Sequence, residues 1–135
     1  MNDKAVTAEP CTQQKPVGRL WASAEHFYSQ ATCDDIRDSI RSSYLAALKA
    51  AGTLVASNPR VAQTRPKTRD VWELLSRLGD DWDEDIAYFR HWDKIRRDAD
   101  LGLSIAVNSE QATAFFQRVG EFMDRIALVV SNVAA

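Results

Sequence analysis

Residues 109–133 place Ala112, Phe115, Phe116, Val119, Phe122, Met123, Ile126, Val129, Val130 and Val133 at the spacing that brings them to one side of an α-helix. Gln117, Glu121, Asp124 and Arg125 fall opposite. A stripe this wide must be covered. Each large side chain buried from it contributes about 1.5–3 kcal/mol before conformational entropy takes most of that back. The other segments of the chain have to supply the covering surface.

They do so with further helices. Leu20, Trp21, Ala24, Phe27 and Tyr28 recur at helical spacing and predict a first helix over about 19–32. Asp34 or Asp35 can cap a second, longer helix that runs to Ser57, where Asn58 and Pro59 stop it. Its apolar arc holds Ile36, Ile40, Tyr44, Ala47, Leu48, Ala51, Leu54 and Val55. A loop at 61–68 with Pro66 and no apolar period is expected to be a connection. A short helix with Val71, Trp72, Leu74, Leu75 and Leu78 inside then starts at Thr68 or Asp70, with Glu73 as a capping-box partner, and ends at Gly79. The next helix, from Asp80 or Asp81 to Asp100, opens with Asp83, Glu84 and Asp85 and closes with Arg96 and Arg97. That charge order complements the helix dipole. Residues 103–107 are expected as an extended connector, and Asn108 or Ser109 as the last cap. No strand pattern or internal repeat competes, so the expected fold class is all-α, an up-and-down bundle of about five helices.

The chain has 135 residues, which suits one domain, and residues 1–17 combine two prolines with polar side chains. The expected organisation is a disordered leader at 1–17 and one helical domain at 18–135. The formal charge of −2 provides no global field for polyanions. No signal-peptide pattern or membrane-length apolar run is seen, so a cytoplasmic location is expected, without membrane contact. Cys11 and Cys33 are expected to be free thiols.

The usual chemical motifs are missing: no Gly-rich phosphate loop, CxxC, HExxH or GxSxG occurs, and His26 and His91 lack metal-ligand spacing. No metal or cofactor is expected. The informative anomaly is charge on apolar arcs. In projection, Asp93 falls between Trp82 and Ile86, Arg96 between Phe89 and Trp92, and Asp85 beside Trp92. A charge facing a bundle interior must be paired or must border a wet cavity. Arg37 and Arg41, stacked on the second helix, are the expected partners. One reading is a structural ion-pair cluster. The other is a polar cleft for an anion or nucleotide, with Arg37, Arg41 and Arg96 as donors, Asp93 among them and Trp92 as a stacking surface. A basic surface of Arg65, Lys67, Arg69, Arg90, His91, Lys94 and Arg97 is the second candidate, for phosphates of RNA.

The segment RDVWELLSRLGDDWDEDIAYFRHWDKIRRDADLG, followed by VNSEQATAFFQRVGEFMDRI and preceded by SSYLAALKAAGTLVASNPR, resembles a small actinobacterial branch of the HEPN superfamily. The resemblance spans about residues 34–130. It implies a helical bundle, frequently a homodimer, from a superfamily that holds metal-independent ribonucleases, toxins and non-catalytic RNA- or nucleotide-associated modules. Catalytic members carry an arginine, four to six residues and a histidine near the last helices. Here the final helix has Arg118 and Arg125 but no histidine, Arg19 with His26 lies on the first helix, and Arg90 adjoins His91. No catalytic residue is carried over. The resemblance thus implies a non-catalytic module with RNA, nucleotide or a protein as partner. The rival expectation is a divergent ribonuclease or nucleotide-processing enzyme that uses Arg37, Arg41, Asp93 and Arg96 with His91 as acid or base.

Overall fold

The computed structural model describes residues 15–63 and 68–134. The candidates Arg65 and Lys67, Cys11 and residues 1–14 of the expected leader lie outside the described residues. Among those described there are six α-helices, one 3-10 turn and no strand.

Helix α1, Lys15–Gln30, begins inside the segment expected as a leader and turns back at Ala31 into α2, Ile36–Ser57. Asp35 caps α2 by accepting from the Asp38 N–H at 3.0 Å. The turn itself is tied by Ser39 Oγ, which donates to the Ala31 carbonyl at 2.8 Å. α2 is the central strut. Ser43, Ala46, Ala47, Ala50 and Ala51 are fully buried on it, and small side chains let α1 lie close along its length. α5 and α6 pack on α2 as well.

Asn58 ends α2, and its Oδ1 then accepts from the N–H groups of Arg60 and Val61, starting a short helix α3, Pro59–Gln63. This helix occupies the start of what the sequence marks as a pure connection. Pro59 that stops one helix is also well placed to open the next, since a first-turn proline gives up no needed donor. Asp70 caps α4, Val71–Ser76, accepting from Trp72 and Glu73. Gly79, at φ 131°, reverses the chain into a 3-10 turn at Asp80–Trp82, and α5, Asp83–Asp100, follows.

The end of α5 is a Schellman motif. Gly102 at φ 76° donates to the Ala99 carbonyl at 3.1 Å, and Leu103 donates to that of Asp98 at 2.9 Å. The connector to α6, Ser109–Ala134, is extended, with Ile105 and Val107 packed on the core. Asn108 and Gln111 exchange side-chain to backbone hydrogen bonds at 2.8 and 2.9 Å, a reciprocal capping box.

The core is aromatic where α4, α5 and α6 meet. Phe89, Phe115 and Phe122 are fully buried, Trp72 stacks on Phe89 at 5.2 Å, and Trp92 lies flat on Phe115 at 4.1 Å. Trp21, placed inside by its spacing, is half-buried. Among the described residues no helix is long and apolar enough to cross a membrane.

Candidate functional site

Charge turns inward at both ends of α5. At the C-terminal end, Arg96 bonds Asp93 one turn before it and Asp100 one turn after it, the latter at 3.3 Å. Arg97 adds a contact to Asp93 at 3.3 Å, and Arg41 reaches Asp100 from α2 at 3.9 Å. The Arg96 guanidinium also lies 4.9 Å from the centre of the Tyr44 ring. Tyr44 accepts from Trp72 Nε1 at 2.9 Å, and Asp93 lies near enough for its charge to act on the Tyr44 hydroxyl. A polar path therefore runs from a buried indole to the surface. Burial pushes the Tyr44 hydroxyl above its ordinary range, and Asp93 adds to that push. For Arg96, burial works against the charge, but Asp93 and Asp100 outweigh it and hold the guanidinium protonated even more firmly than usual. Its Nε is buried without a hydrogen-bond partner.

Arg37 does something different from pairing with a carboxylate. Its Nη1 donates to the Ala99 carbonyl at 3.0 Å and its Nη2 to that of Leu103 at 2.8 Å. These are carbonyls at the end of α5 and just beyond it, so an arginine on α2 fastens the α5 terminus and the connector. Trp92 has one ring face covered by Phe115. Arg41 and Arg96 thus meet at Asp100 and Asp93 joins them through Arg96, with Arg37 holding the adjoining helix end and Trp92 turned into the core.

The basic outer face is largely self-neutralised. Arg90 bonds Asp70 at 3.1 Å, Lys94 lies 3.7 Å from Asp98, and Arg97 pairs with Asp93. Burial raises the Asp70 carboxyl, but Arg90 and the N–H groups of Glu73 and Trp72 overcome it and hold the group below its ordinary value of 3.8. Arg69 is exposed. His91 is exposed, meets Trp92 edge-on at 6.1 Å, and among the described residues has no hydrogen-bond or ion partner.

The N-terminal end of α5 holds the constellation that sequence reasoning missed. Asp85 is only 2% exposed, and its partners are Arg118 and Arg125 on α6, not Arg37 and Arg41 on α2. Arg125 Nη1 donates to both carboxylate oxygens at 2.8 and 3.0 Å, and Arg118 Nη2 donates to Oδ1 at 3.2 Å. Each guanidinium also covers an aromatic ring: Arg118 sits 4.4 Å from the centre of Tyr88, and Arg125 4.7 Å from that of Trp82. Burial pushes the Tyr88 hydroxyl up, and the charge of Arg118 offsets part of that push. The side chains remain 33% and 48% exposed, so the pair is anchored inside and open outside.

Two signals for this site were present in the sequence. Asp85 lies on the apolar arc of its helix. Arg118 and Arg125 are seven residues apart and therefore nearly on one line, roughly 90–110° from the centre of the α6 stripe, on its flank rather than diametrically opposite it.

Among the described residues no group of three or more His, Cys, Asp or Glu side chains is placed to hold a metal ion, and Cys33 is a free, exposed thiol. A hollow of about 300 Å³ between α1 and α6 carries Glu25 and Asp124 at its rim beside Trp21 and Tyr28, and no arginine. No curated protein and no solved structure matches the chain. A family model for SAV_6107-like HEPN domains matches residues 30–127, from the end of α1 into the last turns of α6. That match spans well over half of the sequence, and the chain belongs to the SAV_6107-like HEPN family.

Proposed function

We propose that this protein is a non-catalytic HEPN module that associates with RNA or nucleotides through their phosphates, and that it works as a homodimer. The observation that carries the reading is the make-up of the two inward-facing charge clusters. Both are built from arginine and aspartate, and neither includes a histidine. Guanidinium groups bind phosphate well but do not exchange protons near neutral pH. A general base also needs a partner that orients it, and exposed His91 has none among the described residues. Binding without cleavage fits that set of groups.

For the homodimer, the support is exposed apolar surface near the aromatic helices, at Leu101 and Leu103 after α5 and at Leu128 on α6, together with the frequent dimerisation of HEPN domains. Sedimentation at micromolar concentration is expected to give a dimer, and a monomer alone would remove that part of the reading. A thermal-shift screen with nucleotides and short RNAs is expected to raise the melting temperature, because a ligand that binds only the folded state stabilises it. RNA incubated without metal is expected to stay intact. Metal-free cleavage abolished by His91→Ala would replace this reading with that of a divergent ribonuclease.

A further inference from the structure

We infer that Arg118 and Arg125, held by Asp85, form a binding site for a nucleoside phosphate at the α5–α6 face. The inference rests on the RNA- or nucleotide-associated reading and says where on the molecule that contact is made.

Three features separate this pair from an ordinary structural ion pair. The first is burial of the anchor: Asp85 is 2% exposed and accepts from both arginines, so the two side chains are fixed before any ligand arrives. The second is unused capacity. Each guanidinium has five N–H donors, and the bonds to Asp85 engage only Nη2 of Arg118 and Nη1 of Arg125. The two cations also share one bonded carboxylate, whereas Arg90 has a carboxylate of its own in Asp70. The third is orientation. Tyr88 and Trp82 cover one face of each guanidinium, which leaves the outer face and the free N–H edge at the partly exposed surface. Arginine planes of this kind take stacked bases on their faces and phosphate oxygens on their edges.

One neighbour opposes an anion. Glu121 lies on α6 between the two arginines, is exposed, and has no ion partner among the described residues, though its charge is felt at Tyr88. Asp124, the next acidic residue of α6, lines the hollow beside α1 instead. Glu121 works against bare phosphate and leaves base stacking as the contribution that favours a nucleotide over inorganic phosphate.

The test is fluorescence anisotropy of a labelled single-stranded RNA oligonucleotide with the full chain, repeated with AMP and with inorganic phosphate as competitors. Arg118→Lys and Arg125→Lys keep a cation beside Asp85 but lose the fork and the plane, and a thermal melt confirms that each is folded. Each is expected to weaken binding by about tenfold, Glu121→Gln to tighten it, and Arg97→Ala to change it by less than about twofold. Competition by AMP with the same arginine dependence assigns the site to free nucleotides, and its absence assigns the site to an RNA strand. Equal losses in Arg97→Ala and the two α6 variants would overturn the site while leaving RNA association standing. No binding of either RNA or AMP would overturn both.

Discussion

At the C-terminal end of α5, Arg96 lies between Asp93 and Asp100, Arg97 shares Asp93, and Arg37 spends its terminal nitrogens on the carbonyls of Ala99 and Leu103. At the N-terminal end, a single carboxylate serves two arginines from another helix. The first cluster is mostly local, made of i,i+3 and i,i+4 neighbours, and its carboxylates are partly solvated. The second joins residues far apart in the chain, through an oxygen pair withdrawn from water. A local, wet cluster organises a helix end and is dispensable piece by piece. A non-local one around a buried carboxylate sets how α5 and α6 face each other, because that carboxylate cannot be left without its cations.

Removing cations should break the contrast most sharply. The double variant Arg118→Ala/Arg125→Ala leaves Asp85 buried and unpaired and is expected to cost about 3–5 kcal/mol in urea unfolding. Either single variant should cost much less, since the remaining arginine still reaches the carboxylate. Next comes the inner end of the other cluster. Tyr44→Phe strips the acceptor from Trp72 Nε1–H, for an expected loss of about 1–3 kcal/mol in the same measurement.

Arg37→Ala should cost about 1 kcal/mol, because the two carbonyls it serves are partly open to water. Its signature is local: hydrogen exchange should speed up across residues 101–107 and not in the α2–α6 core. Arg97→Ala, which breaks one exposed pair, should change stability by less than about 0.5 kcal/mol.

The smallest effect concerns acid. The folded-state Asp70 carboxyl lies below its ordinary value of 3.8, so its contribution is fully present above that value and is lost as pH falls through the lower, folded-state one. Comparing wild type with Asp70→Asn across this acid range should show the gap in unfolding free energy closing as pH drops. A gap that widens on acidification would contradict the assignment.

Much of the architecture is legible from the residues because its signals are local. Asp35, Asp70 and Asn108 announce helix starts with the side chains that cap them, and the last stripe places Phe115, Val119, Phe122 and Ile126 inside before any contact is known. Around α3, one dipeptide, Asn58–Pro59, both ends a helix and begins another, and the stop signal hides the start. The inward turn of Asp85 is legible too, since it follows from a 100° projection. Its partners are not. A projection says that a charge must be met, and only the packing of α6 across α5 says by which arginines. Arg37 shows the same limit: its place beside the apolar arc follows from spacing, but its partners are main-chain carbonyls, which no side-chain pattern reveals.

The most direct test of the distinction between the two clusters is an NMR titration that follows the arginine side-chain Nε–H signals while single-stranded RNA is added. The account predicts that the signals of Arg118 and Arg125 move with saturation while those of Arg37 and Arg96 stay in place. Movement at Arg37 and Arg96 with Arg118 and Arg125 unchanged would contradict it.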